Sequence, residues 1–67
     1  MKSYLVEFEN LVTKYPILLV FHGSTEESVH EQAMLYSMTH DYIGEGIFDM
    51  YPIYRNSDGL LELGEVQ

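Results

Sequence analysis

The stretch SVHEQAMLYSMTHD, residues 28–41, holds His30 followed at once by Glu31. Zinc hydrolases of one large class use two His four residues apart on a helix face, with the intervening Glu as general base. Here the second ligand is absent, because position 34 is Met. His30 and His40 lie ten residues apart, about 80° round a helix at ~100° per residue, so helix geometry alone does not bring them together. His22 approaches either only through tertiary structure. No metal and no cofactor are therefore expected. His40 is expected near a helix C-terminus, where a partly charged imidazole is favourable.

Nucleophilic chemistry fares no better. Gly23-Ser24-Thr25 lacks the second glycine of a nucleophile elbow. Gly44-Glu45-Gly46 has no third glycine, no Lys and no helix start after it, so it does not cradle phosphate. Asp58-Gly59 with Glu62 lacks the oxygen ligands of a calcium loop. No enzymatic activity is expected.

The carboxylates carry more pattern. Glu7 and Glu9 fall on one side of a strand-like segment, roughly 7 Å apart by strand rise. Glu26, Glu27 and Glu31 crowd the first turns of a helix. Asp41, Glu45 and Asp49 follow it, and Glu62 and Glu65 come near the end. Spaced acids on a rigid scaffold imitate phosphates, which on one DNA strand stand roughly 3.4 Å apart along the axis.

Positioning those groups requires the following elements. Tyr4–Glu9 alternates, with Tyr4, Val6 and Phe8 on one side and Leu5, Glu7 and Glu9 on the other, which predicts a half-buried strand. Ile17–Phe21 is a run of five apolar residues between Pro16 and the glycine at 23. That predicts a strand covered on both faces, either central in the sheet or with a dimer packed on the open face. Ser24-Thr25-Glu26-Glu27 reads as a capping box with Ser24 as N-cap, opening a helix from Thr25 to about His40.

At ~100° per residue, Val29, Ala33, Tyr36 and His40 fall within one stripe, while Met34, Leu35 and Met38 lie roughly opposite. Glu27 and Glu31 share that far side, nearer the helix start. The inward stripe is expected to cover the sheet, and Met34, Leu35 and Met38 to seek a partner. Ile47–Arg55 predicts a third strand, an edge or bulged at Pro52, which has no N–H to give. Asn56-Ser57-Asp58-Gly59 is a hairpin turn signal. Leu60–Val66 is the expected last strand.

With 67 residues the chain forms one small domain; it opens with Met and reads as complete. A domain this small has little surface to bury and is helped by a staple or a partner. It contains no cysteine, so no disulfide supplies one. Eleven acids against three Lys and Arg give a formal net charge of −8. Nucleic acid and anionic membranes would be repelled, and a basic protein attracted. The same charge also serves solubility. Glu7 interrupts the first apolar stretch too early for a signal peptide, and the longest apolar run is far too short to cross a membrane. The expected compartment is the cytoplasm. Six tyrosines and the Met pair at 34 and 38 add adaptable contact surface.

The segments YLVEF and ILLVFHGSTEESVHEQA, within residues 4–33, give a strand–strand–capped-helix order that resembles very small bacteriophage-type proteins. With the acidity and small size, the chain is similar in type to host-takeover and anti-defence inhibitors, some of which mimic DNA. The resemblance implies action in a host cytoplasm on a basic, nucleic-acid-binding host protein.

The reading as a whole is an α+β domain of order ββαββ, a small, mainly antiparallel sheet with one helix on one face. The expected function is that of a non-enzymatic inhibitor using Glu7, Glu9, Glu26, Glu27 and Glu31 for charge, with no direct nucleic acid or membrane contact. The alternative is an interaction module or homodimer acting through Met34, Leu35 and Met38, whose charge serves only solubility.

Overall fold

The computed structural model describes residues 1–64. The elements are β1 (Lys2–Phe8), β2 (Ile17–Gly23), α1 (Glu26–Met38), β3 (Asp49–Arg55) and β4 (Leu61–Leu63). The fold is α+β, with the chain order ββαββ. The sheet order is β2-β1-β3-β4, and every neighbouring pair is antiparallel.

β1 alternates because one of its faces is core. Tyr4, Val6 and Phe8 are buried against the helix, while Ser3, Leu5 and Glu7 point to the other face. The registers extend that alternation across the sheet. Val6 is opposite Leu19 and Met50 on the helix side, and Leu5 is opposite Val20 and Tyr51 on the open side. α1 closes the helix side with Val29 and Ala33, both fully buried, and Ile43 and Met50 complete the core. Phe8, Phe21 and Tyr36 meet with ring centroids 5.7–6.0 Å apart, in the range where aromatic pairs attract. Gly23 admits the helix: a Cβ there would stand 2.9 Å from Val29 Cγ2.

The apolar run of β2 does not make it central. It is an edge strand, and Leu18 and Val20 are each about half exposed on the open face. β1 takes the interior position because β3 pairs on its other side. The run is apolar on both faces, yet only the Ile17, Leu19, Phe21 face is packed against the core. Periodicity reports apolarity, not cover.

The helix cap is Thr25, not Ser24. Thr25 has extended backbone angles, and its Oγ1 accepts from the Ser28 N–H at 3.0 Å. The helix thus begins at Glu26, and the N–H that bonds the cap is that of Ser28, one residue on from the Glu27 expected. Glu26 and Glu27 remain in the first turn, where the helix dipole favours them. The helix stops at Met38 rather than His40. Thr39 turns its hydroxyl back to the Leu35 and Tyr36 carbonyls at 3.1 Å, and His40 Nδ1 donates to the Tyr36 carbonyl at 2.7 Å. His40 also stacks on Tyr36 at 3.9 Å.

β3 begins at Asp49, two residues later than expected at Ile47. Its partner β4 covers only residues 53–55, so the strand is an edge from Asp49 to Pro52. The Pro52 carbonyl accepts from Gly64 N–H at 2.7 Å on the β4 side. In an antiparallel strand N and O of one residue point the same way, so the missing Pro52 donor faces the point where β4 has ended. The Asn56–Gly59 turn forms as read. Gly59 has φ +81°, and Asn56 Oδ1 accepts from the Asp58 and Leu60 N–H groups. The expected extension of the last strand to Val66, with Glu65 in it, lies outside the described residues.

Candidate functional site

Between Glu7 and Glu9 the partner of β1 jumps. The Glu7 carbonyl accepts from Phe48 N–H at 2.9 Å, and the Glu9 carbonyl accepts from Gly44 N–H at 2.9 Å. Residues 45–47 therefore loop out between two bonds whose acceptors are only two residues apart, one at the end of β1 and one just beyond it. Such an excursion re-aims side chains at a sheet margin. It leaves Phe48 70% exposed at the sheet margin. Gly44 packs closely on Glu9 at the base: a Cβ there would stand 3.0 Å from Glu9 Cβ and would push the Glu9 carboxylate aside. Gly46, with φ +100°, makes the reversal within the loop. Ser37 ties the loop to the helix: its buried hydroxyl accepts from Gly46 N–H at 3.0 Å and donates to the Met34 carbonyl at 2.7 Å.

Two grooves meet at Ile47 and Phe48. One, of about 580 Å³, is lined by the acids Glu7, Glu9 and Glu45 together with Lys14, Tyr15 and Pro16. The other, of about 540 Å³, runs along the helix and is lined by Glu26, Glu27, Glu31 and Asp49, with His30 among them. All five glutamates singled out in the sequence thus line one or other groove, in two groups on either side of Phe48. Glu7 and Glu9 are not a strand pair, however. β1 ends at Phe8, so Glu9 lies beyond the strand, where the loop has displaced the ladder.

The helix patch is partly as expected. Leu35 and Met38 are 63% and 60% exposed, but Met34 is only half-exposed. It precedes the buried Ser37 by one turn and lies at the margin of the packed side. Ser37 was not legible as a core residue, because a serine on a helix carries no apolar signal. Phe48 carries no signal in sequence beyond its place in the aromatic-rich stretch from Ile47 to Arg55.

The histidines remain apart in role. His22 Nδ1 is 2.7 Å from Ser3 Oγ across β1 and β2. Among the described residues no further side chain hydrogen-bonds the ring, so the pair has no third member of the kind that orients the imidazole in a catalytic triad. His30 lines the helix groove and His40 caps the helix end. Among the described residues no three His, Asp or Glu side chains are placed to hold a metal ion. Every buried side-chain polar atom among them has a hydrogen-bond partner. No helix there is long and apolar enough to cross a membrane.

Tyr51 lies beside Glu7 and Asp49 on the open face. Burial pushes its phenol up, and the Asp49 and Glu7 carboxylates add to the shift. Its hydroxyl donates to Asp49 Oδ2 at 3.4 Å, a long bond.

No protein-family model, curated protein or solved structure matches this chain.

Proposed function

We propose that the protein is a non-enzymatic inhibitor that occupies a basic, nucleic-acid-binding surface of another protein, in the manner of a DNA mimic of bacteriophage type acting in a host cytoplasm. The observation that carries this reading is the pair of acid-lined grooves meeting at an exposed aromatic ring. Glu7, Glu9 and Glu45 lie on one side of Phe48, and Glu26, Glu27, Glu31 and Asp49 on the other. A basic partner would place Lys and Arg side chains in the grooves and pack a flat or apolar group on Phe48. Charge would steer the encounter, and the ring would supply contact area that salt does not screen. A net charge of −8 works against direct binding to nucleic acid, which supports a protein partner.

The test uses the folded chain as bait against bacterial lysate, with elution by a salt gradient and identification by mass. A nucleic-acid-binding protein that competes with DNA for the bait is expected. Glu26→Lys, Glu27→Lys and Glu31→Lys together should abolish its capture while the circular dichroism spectrum stays unchanged. Capture that ignores both DNA and the charge reversals would sink the reading.

A second reading rests on Leu35 and Met38, which stand exposed one turn apart. In it the chain is an interaction module that binds through this apolar patch. Met38→Asp would then remove the captured partner, and the three lysine substitutions would not.

A further inference from the structure

We infer that two copies of this chain join edge to edge, β2 against β2, extending the sheet across a two-fold axis at Leu19. β2 is an edge strand of seven residues. Native edges are blunted by charge, proline, a bulge or shortness. The opposite edge follows that practice, since β4 has three residues and carries Glu62. β2 does not. From Tyr15 to Thr25 there is no Asp, Glu, Lys or Arg, the longest such stretch in the chain.

The registers fix which backbone groups face out. The Pro52 carbonyl turns to the β4 side, so Tyr51 and Ile53 turn to Leu5 and Ser3. Tyr4, Val6 and Phe8 then turn to β2, where Phe21, Leu19 and Ile17 meet them. Leu18, Val20 and His22 therefore hold their N–H and C=O groups outward. One of these is taken, because Gln32 Nε2 donates to the His22 carbonyl at 2.9 Å. Ile17 N–H faces β1, so across the trans peptide plane the Pro16 carbonyl faces out. The open edge thus offers the N–H groups of Leu18, Val20 and His22 and the carbonyls of Pro16, Leu18 and Val20.

One antiparallel register of β2 on itself uses them all. With Leu19 opposite Leu19 of the second copy, Leu18 and Val20 exchange both bonds with Val20 and Leu18. His22 N–H then meets the Pro16 carbonyl. The gaps coincide as well: the N–H that proline lacks would have faced the carbonyl that Gln32 already fills. An unrelated strand would bring a donor where none is needed. The side chains agree. On the helix side Ile17, Leu19 and Phe21, each only partly buried, meet Phe21, Leu19 and Ile17. On the open face the half-exposed Leu18 and Val20 meet Val20 and Leu18. Apolar cross-strand pairs of this kind stabilise a sheet.

The charges around the edge fit the antiparallel direction. Lys14 precedes the uncharged stretch and Glu26 and Glu27 follow it, so each end brings the lysine of one copy toward the acids of the other. Lys2, beside Gly23 on β1, adds a second base there, and Glu9 turns toward Gly44, away from the edge. Glu7 lies beside Leu18 on β1. The two Glu7 residues then stand three strand spacings apart, roughly 14 Å, beyond the screening length of about 8 Å at physiological salt. α1 leaves the edge clear by crossing obliquely, from Gly23 on β2, where Val29 packs, to Phe8 on β1, beside Tyr36. Pairing through an edge leaves Phe48 and the acids about it open, so the inference neither rests on the acidic-groove reading nor opposes it.

Sedimentation analysis of the full chain from micromolar concentrations upward tests it, and a dimer is expected. In the same samples the Leu18, Val20 and His22 amides should exchange more slowly as the dimer fills, while those of Leu61 and Leu63 on the opposite edge should not. Val20→Pro removes an outward N–H and no internal bond, so it should keep the circular dichroism spectrum and weaken the dimer about ten-fold or more. The chain has no cysteine, so a single introduced one forms a disulfide only between copies. Leu19→Cys should cross-link on oxidation, because directly opposed residues of a non-hydrogen-bonded pair stand within disulfide reach. Val20→Cys, offset from its own copy across the axis, should cross-link far less. A monomer at every concentration overturns the inference. So does a dimer whose Leu18, Val20 and His22 amides stay unprotected, one that Val20→Pro leaves intact, or one that cross-links through Val20→Cys in preference to Leu19→Cys.

Discussion

Ser37 and Gly46 are joined by a 3.0 Å hydrogen bond from the Gly46 N–H to the Ser37 hydroxyl, which itself donates to the Met34 carbonyl. This one side chain fixes the loop before Phe48 to the last turn of the helix. Ser37→Ala removes the acceptor and strands a partly buried N–H. Urea unfolding should show a loss of about 1–2 kcal/mol, the penalty of an unmade buried bond. Amide exchange at Gly46 should quicken, and a variant with unchanged stability and exchange would show that the loop is held by something else.

The helix cap gives a paired prediction. Thr25→Ala removes the oxygen that satisfies Ser28 N–H and should cost about 1 kcal/mol. Ser24→Ala leaves that bond in place and should stay within about 0.5 kcal/mol of the parent, as exposed substitutions do. Denaturation of the two variants side by side checks the assignment. The reverse order of effects would return the cap to Ser24.

Alkaline pH should weaken the fold through Tyr51. Burial, then Asp49 and Glu7, raise its phenol above the usual tyrosine value of 10.0. The folded state thus prefers the neutral phenol. Its contribution is fully present below the unfolded pKa and is lost as pH rises through the higher folded one, so stability falls from about pH 10 upward. Tyr36 acts in the same direction, held up first by the Tyr42 hydroxyl beside it and then by burial. Tyr51→Phe should therefore flatten the alkaline limb of an unfolding-versus-pH curve in part, not wholly. A limb of unchanged slope would mean that Tyr51 titrates alike in both states.

Phe48 separates binding from folding. The ring is largely exposed and lies outside the core cluster, so Phe48→Ala should change stability by less than about 0.5 kcal/mol. If the grooves are the binding surface, the same change should cost about 2 kcal/mol or more in affinity for a captured basic partner, the scale of an aromatic hot spot. Calorimetric titration of parent and variant reads both the affinity and its salt dependence. Full affinity without the ring would move the site elsewhere.

Much of this architecture was legible along the chain. The alternation of Tyr4, Val6 and Phe8 against Leu5 and Glu7 specifies a two-sided strand, because side chains in a strand change face at every residue. Asn56–Gly59 specifies its turn through an Asn side chain that bonds its own backbone and a glycine free to take positive φ. The Val29, Ala33 and Tyr36 stripe specifies which helix face goes down. These are local matters, governed by periodicity and backbone preference. Sheet order is not local. β2 and β1 are both apolar enough to be central, and only the return of β3 to the far side of β1 decides between them. The same return, with its excursion between the Glu7 and Glu9 carbonyls, carries Asp49 and Phe48 to the N-terminal turns of a helix about twenty residues earlier in the chain. Composition supplied the acids. Gathering them into two grooves about one ring took long-range backbone pairing and a buried serine, neither of which leaves a periodic trace in sequence.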